Sequence, residues 1–443
     1  MSKKRFFIGK PSIKQNPLRV SFPYALGDLK FVETLEFGKS ANLELLKSPQ
    51  FLHLLDISAF VLGVSYYKLL APFEINAKDI ALSEKEKTFI LDVYENGLGE
   101  FFARNDLKRF GKIKINALTR SLETTKKTSL NKRILLPIGG GKDSLVSVQL
   151  LEKADLDFTP FAVNPKGPII SSVKEIGIAP IYVKRTLDPL MIELGKKPEF
   201  YNGHVPSTAI NSMIASLVAL LFDYNAIALS NERSASEGNV EFDGRNANHQ
   251  HSKSLDFEKM IAQILSDITG GELKYFSLLR PFSELHIASI FTKETRFDSA
   301  FSSCNTNFKL SGNDGDLWCC NCPKCFFVFL ILAKKMDKKR LINIFGKNLL
   351  DDKNNLKAYS ELVGLTGHKP WECVGEILEA AACLFALTKQ KDWQNDLLIV
   401  KLKDELLGFY GEKKLTQELS DLMKKSNEHL IPREIEKKVM AYV

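Results

Sequence analysis

A short apolar run, Leu135-Leu136-Pro137-Ile138, leads directly into Gly139-Gly140-Gly141 and then into Lys142-Asp143-Ser144-Leu145. No other stretch constrains the fold as much. A buried strand has to stop, turn within three residues and feed a helix. Glycines permit the tight turn and let successive backbone N–H groups converge on one point. The helix N-terminus adds its positive dipole end, so the turn suits a phosphate or pyrophosphate. The pattern does not fit Gly-x-x-x-x-Gly-Lys-Ser/Thr. Nor does it fit Gly-x-Gly-x-x-Gly, because Ser144 stands where the last glycine belongs. A glycine-rich turn with no ligand is the plainer reading, but Lys-Asp-Ser at the helix start is chemically pointed.

The flanking sequence alternates strand and helix patterns. Ile134–Ile138, Phe158–Val163, Pro180–Lys184 and Ala226–Ser230 read as strands, and Asp143–Glu152 and Ser207–Leu221 as helices. Such alternation predicts an α/β fold with a parallel sheet covered on both faces. The 443 residues suggest two or three domains. We divide them as an N-terminal α+β domain (1–125), an anion-binding domain (126–300) and a cysteine-cluster and helical C-terminal region (301–443). Within the first, Val20–Leu26 and Leu29–Phe37 are split by Gly27-Asp28, a hairpin signal, and Ser83 with Glu86 forms a capping box. Thr124–Arg133 reads as a linker. Within the last, Glu376–Leu387 and Trp393–Leu407 read as helices, the second capped by Asp392 and ended by Gly408.

Composition excludes several classes. Apolar residues make up 44% and charged residues 26%, a globular profile. The longest apolar runs fall well short of the ~20 residues of a membrane span. The basic start, Met-Ser-Lys-Lys-Arg, lacks the apolar stretch of a secretory signal, so a cytoplasmic protein is expected. The net charge of +8 is spread along the chain. Its densest cluster, Lys334–Arg340, reads as a solvated helix end rather than a nucleic-acid patch.

Cys304, Cys319, Cys322 and Cys325 are spaced C-x14-C-x2-C-x2-C, with Cys320 in the same stretch. In a cytosolic chain close cysteines favour a metal over disulfides. Four thiolates suit a structural Zn²⁺, with an iron–sulfur cluster or reduced thiols as alternatives. Either Cys319 or Cys320 completes the set. Polar groups also gather where strands should end. Ser230-Asn231-Glu232-Arg233-Ser234 follows one strand, His204 precedes the Ser207 helix, and His249 and Lys253 lie in a polar loop. Lys369-Pro370-Trp371-Glu372-Cys373 precedes the C-terminal helices. In parallel sheets ligands bind beyond the carboxyl ends of the strands, although each segment also reads as an ordinary surface loop or helix entry.

Gly139–Ser144 resembles the PP-loop of ATP pyrophosphatases, Ser-Gly-Gly-x-Asp-Ser, with Gly139 in place of the serine. The cysteine cluster resembles the zinc knuckle of 7-cyano-7-deazaguanine synthases. Together with Gly203–Asn211, Ser230–Gly238, Asn248–Ser254 and Lys369–Glu376, these segments resemble one family over most of the chain. That family is the ATP-dependent UDP-N-acetylmuramoyl-L-alanyl-L-glutamate epimerases of peptidoglycan synthesis. The resemblance implies a HUP-like (adenine nucleotide alpha hydrolase) domain that binds ATP with Mg²⁺ through Gly139, Gly140, Gly141, Lys142, Asp143 and Ser144, with the backbone at Val163 on the adenine. It implies adenylation of the glutamate α-carboxylate, release of AMP and pyrophosphate, and inversion of the terminal L-Glu to D-Glu. An L-Glu-adding muramyl ligase would act upstream, and no nucleic acid or membrane is involved. Ser230, Asn231, Arg233, Ser234, Lys253 and Lys369 are the substrate-binding candidates, and His204, Glu232, His249, Glu372 and Cys373 the acid–base candidates. The alternative is another adenylating PP-loop enzyme: an amide- or nitrile-forming ligase, or a tRNA-thiolating enzyme that would need a free thiol such as Cys320.

Overall fold

Gly27 adopts φ +63° and joins two antiparallel strands, as the Gly-Asp pair predicts. In the computed structural model, which describes residues 5–38, 42–121, 127–236, 240–308, 316–367, 372 and 374–443, this hairpin belongs to an eleven-stranded sheet. The strands in chain order are β1 (Phe6–Ile8), β2 (Ser12–Lys14), β3 (Arg19–Leu26), β4 (Leu29–Phe37), β5 (Glu74–Leu82), β6 (Lys114–Thr119), β7 (Ile134–Pro137), β8 (Phe158–Val163), β9 (Ile181–Thr186), β10 (Ala226–Leu229), β11 (Val240–Phe242), β12 (Arg245–Ala247) and β13 (Lys274–Ser277). The spatial order is β13-β10-β7-β8-β9-β4-β3-β1-β5-β6, with β2 on β3. From β13 to β9 every pairing is parallel. The antiparallel β4–β9 pair then joins this half to the N-terminal strands, so residues on both sides of 125 share one sheet.

The two faces of the sheet bury different partners. Along β7, Ile134 and Leu136 face one apolar cluster and Leu135 the other. This is the two-residue period of a strand covered on both sides. The first cluster takes in the helices Lys142–Lys153, Glu284–Phe291, Pro323–Ala333 and Ile377–Leu387. The second takes in Pro49–Tyr67, Ser207–Leu221 and Leu255–Thr269. Ser48 caps the first of these three from its side chain to the Phe51 N–H, and Pro49 starts it at a position with no N–H to lose. The Ser83–Glu86 capping box forms in full.

One C-terminal helix is displaced from its expected bounds. It runs Leu397–Tyr410, not Trp393–Leu407, with Asp396 at the N-cap position instead of Asp392. Trp393 is buried in the turn before it, and Asp396 binds Lys338 Nζ at 2.5 Å. Gly408 lies inside the helix with open space where a Cβ would stand, and Gly411, at φ +77°, ends it.

A buried ion pair locks the β4–β9 seam. Glu33 is fully buried, and Arg185 Nε and Nη2 donate to its two oxygens at 2.7 and 3.2 Å, with Nη2 also reaching Ser65 Oγ at 2.9 Å. Removing one partner strands a buried charge, which costs about 3–5 kcal/mol. Arg185→Met should therefore lose that much in urea denaturation, while Arg19→Met, whose pair with Glu36 is half exposed, should lose under about 1 kcal/mol. Equal losses would contradict this account of the seam. No helix among the described residues is long and apolar enough to cross a membrane.

Candidate active site at the glycine turn

The chain leaves β7 for β8 and β9 on one side and later returns to β10 and β13 on the other. The carboxyl end of β7 is thus the point where strand order reverses, the usual ligand crevice of an open α/β sheet. The glycine turn lies there. Gly140 takes φ +76°, and its carbonyl accepts from the Ser302 N–H at 2.9 Å. A Cβ on Gly140 would stand 2.9 Å from both Ile169 N and Pro168 C, and one on Gly141 2.7 Å from Ser303 Oγ. Gly141 is the N-cap of Lys142–Lys153 and supplies no side-chain cap. The first-turn N–H groups therefore face the crevice as an anion cradle.

A cleft of about 550 Å³ opens over this turn. Its walls bring together Gly139, Gly141, Asp143, Ser144, Val163, Ser230, Asn231 and Lys253 from the sequence candidates. They come from the ends of β7, β8 and β10 and from the loop after β12. Ser230 Oγ is 2.7 Å from Ser147 Oγ, and Asn231 donates to Ser277 Oγ at 3.1 Å. Lys142 is placed differently. It is fully buried, pairs with Asp143 and with Glu284, and does not itself line the cleft. Burial works against its charge, but Asp143 and Glu284 outweigh that and raise its pKa above the ordinary lysine value. Lys142 is thus a buried post under the turn. Two cleft lysines, Lys166 and Lys324, lie outside the sequence candidates.

The sulfur atoms of Cys304, Cys319, Cys322 and Cys325 all lie within 4.8 Å of one another. Cys319 and Cys322 stand 3.8 and 3.5 Å from Cys325. A tetrahedral zinc with Zn–S bonds of about 2.3 Å sets its sulfurs about 3.8 Å apart, so the four thiols fit such an ion. Cys320 is excluded from the set. It adopts φ +53°, its Sγ donates to the Phe345 carbonyl at 3.2 Å, and burial pushes its thiol up to about 11. The cluster borders the cleft, because Ser303, Asn305 and Lys324, each next to a ligand cysteine, line it.

His204 and His249 meet at a residue that the sequence did not single out. Glu100, on the helix Gly99–Arg104, accepts from His249 Nδ1 and lies 3.4 Å from His204 Nδ1, and Arg104 Nε holds its other oxygen at 2.6 Å. The two imidazole centroids are 4.7 Å apart. Burial and the neighbouring His249 lower the His204 pKa to about 4, so His204 is neutral at pH 7. Burial raises the Glu100 carboxyl, but the His249 hydrogen bond and charge bring it below its usual value. The Asp243-Gly244 turn, at φ +51° and +75°, closes the β11–β12 hairpin that delivers His249. Two nitrogens and a carboxylate this close together could also hold a metal ion, but Arg104 beside them opposes a second cation.

The remaining described candidates, His204 and His249 included, are not among the residues that line the cleft. Arg233, in the turn after β10, bonds through its N–H to the Phe282 carbonyl. Ser234 Oγ donates to the buried Glu232 at 3.1 Å. Glu372 accepts from the backbone N–H of Lys324 at 3.3 Å, which places it beside the cleft wall. Lys369 and Cys373 fall outside the described residues.

A ligand crevice at the switch point of a mixed α/β sheet, rimmed by a four-thiol centre, defines the class. The models of the MurL N-terminal domain and the MurL C-terminal domain match residues 1–278 and 300–417. The UDP-N-acetyl-alpha-D-muramoyl-L-alanyl-L-glutamate epimerase of a Micromonospora species is 39% identical over 351 residues, 79% of this chain and 78% of its own. The proteins of that name from Xanthomonas oryzae and Salinispora tropica are each 37% identical, over 87% and 86% of this chain and 85% and 84% of theirs. The chain belongs to the MurL family.

Proposed function

We propose that this enzyme inverts the terminal L-Glu of UDP-N-acetylmuramoyl-L-alanyl-L-glutamate to D-Glu in peptidoglycan precursor synthesis, using ATP and releasing AMP and pyrophosphate. The observation that carries the reading is the match to the named epimerases across both halves of the chain. The PP-loop reading of Gly139–Ser144 agrees with a cradle at the strand-order switch. In it, the first-turn N–H groups and Ser144 hold the phosphates, and the backbone beside Val163 faces the adenine. Asp143 would hold Mg²⁺, which neutralises phosphate charge. The four cysteines would hold a structural Zn²⁺. The substrate would come from an L-Glu-adding muramyl ligase.

The chemistry explains the need for ATP. A free carboxylate opposes removal of the neighbouring Cα proton, since the carbanion would form beside a negative charge. Adenylation removes that charge and makes the carbonyl an electron sink. We assign one proton station to His249, oriented by Glu100 through Nδ1, with neutral His204 beside it. Both rings turn Nδ1 to the same carboxylate, and in this reading the pair serves one face of Cα, with the glutamyl end of the substrate reaching beyond the residues that line the nucleotide cleft. Inversion needs a second group on the other face, and Glu372, beside the cleft wall, is the candidate. Cys320, buried and bonded to a carbonyl, does not suit the thiolation alternative.

The test is one incubation in D₂O with ATP, Mg²⁺ and the UDP-dipeptide. Substrate-dependent AMP and deuterated D-Glu are expected. His249→Asn should still form AMP but lose Cα exchange by about 100-fold or more. Neither AMP nor exchange from the folded wild-type protein would sink the reading.

A further inference from the structure

Lys166 and Lys253 line the cleft from the loops after β8 and β12, but the glycine turn itself provides no cleft-side cation, because Lys142 is paired with Glu284 and Asp143 beneath it. The cysteine cluster supplies one. Lys324 lies between Cys322 and Cys325, with Pro323 opening the helix Pro323–Ala333 and Cys322 as its N-cap. This arrangement fixes the backbone of the lysine. Cys325 is fully buried on one side, and the backbone N–H of Lys324 donates to Glu372. Its side chain is 9% exposed and runs over the Phe327 ring, with Nζ 5.7 Å from the centroid and 3.7 Å from Glu284 Oε1. It lines the same cleft as Asp143 and Ser144. On the other arm of the cluster, Ser303 and Asn305 flank Cys304 and also line the cleft, with Ser303 Oγ set against Gly141. Two of the four cysteines therefore carry cleft residues as immediate neighbours.

We infer that Lys324 is the cation that meets the nucleotide phosphates over the glycine turn, held in place by the cysteine cluster that brackets it. The inference rests on the nucleotide reading of the cleft. A phosphate drawn to the cradle competes with Glu284 and Asp143 for the charge of Lys324. Its ammonium lies 3.7 Å from Glu284 Oε1 on a residue that lines the cleft, and in this reading it exchanges that carboxylate for phosphate by side-chain rotation. A lysine there is a point charge, which tolerates the changing geometry of a departing pyrophosphate better than a fixed guanidinium fork would.

Binding of α,β-methylene-ATP with Mg²⁺ to the metal-loaded full chain, followed by calorimetry, tests this. K324M should bind about 10- to 100-fold more weakly than wild type, the range for losing a charged hydrogen bond. K324R should stay within about fivefold. Metal content and melting temperature should match across the three proteins, which ties the loss to the ammonium. K324Q replaces K324M if the latter does not fold. A folded, metal-loaded K324M that binds within about twofold of wild type overturns the assignment and leaves the nucleotide reading standing. Wild-type protein that does not bind the analogue overturns both.

Discussion

Gly140→Ala should reduce substrate-dependent AMP formation by about 100-fold or more, while Gly139→Ala should stay within about threefold of wild type. The two glycines are neighbours, but their surroundings differ. Gly140 sits at φ +76°, where a Cβ clashes with its own backbone at a cost of about 1–2 kcal/mol. The same Cβ would stand 2.9 Å from Ile169 N and Pro168 C, and both are backbone at the start of the helix Gly167–Ile176. Neither can yield as a flexible side chain would. The turn must open, and the N–H groups that converge on the crevice must diverge. A Cβ on Gly139 would meet no heavy atom within 4 Å. Steady-state kinetics on both variants, with urea unfolding to separate folding from function, checks the contrast. Equal, mild effects would mean that the turn is not a constrained cradle.

Cys325→Ser should lose the bound metal and much of the stability of the C-terminal half, whereas Cys320→Ser should keep the metal. Cys325 is fully buried, its sulfur stands within 4 Å of two other thiols, and it anchors the start of the most apolar helix on its face of the sheet except Ile377–Leu387. Structural zinc contributes directly to folding, with about 10–16 kcal/mol of apparent binding energy in small zinc domains. In a larger chain part of that is recovered by the apolar core, so a fall in melting temperature of about 10 °C or more is expected. Plasma mass spectrometry and thermal denaturation give the two readouts. If Cys320→Ser loses the metal and Cys319→Ser retains it, the ligand set drawn from the geometry is wrong.

How far the sequence could be read depended on range. The Leu135–Leu145 turn, the Gly27 hairpin, the Ser83–Glu86 cap and the Ser207–Leu221 helix are local, and each formed where its residues indicate. Asp392 and Gly408 misled because a cap and a stop are defined by context. A solvent-facing glycine costs a helix only about 1 kcal/mol, which a packed face absorbs. Lys142 looked like a phosphate ligand until its partner Glu284, 142 residues later, turned it under the strand. Glu100 carries no signal in Gly99-Glu100-Phe101-Phe102, because its role arises where an N-terminal helix meets the loops of His204 and His249. Lys324 was visible between two ligand cysteines, but which way it points depends on how the cluster closes.

The β4–β9 seam has a further consequence. Because the sheet passes without a break from the parallel half into the N-terminal strands, the first third of the chain is not an appendage. Cut away from it, β9 would lose its β4 partner from Val183 to Thr186 and present a bare edge of N–H and C=O groups, the template on which edge-to-edge aggregation starts. Arg185 would keep its charge with no Glu33 to meet it. The N-terminal strands thus serve as the sheet's protective border, and a fragment holding only the ligand crevice would be prone to self-association before it could be tested for activity.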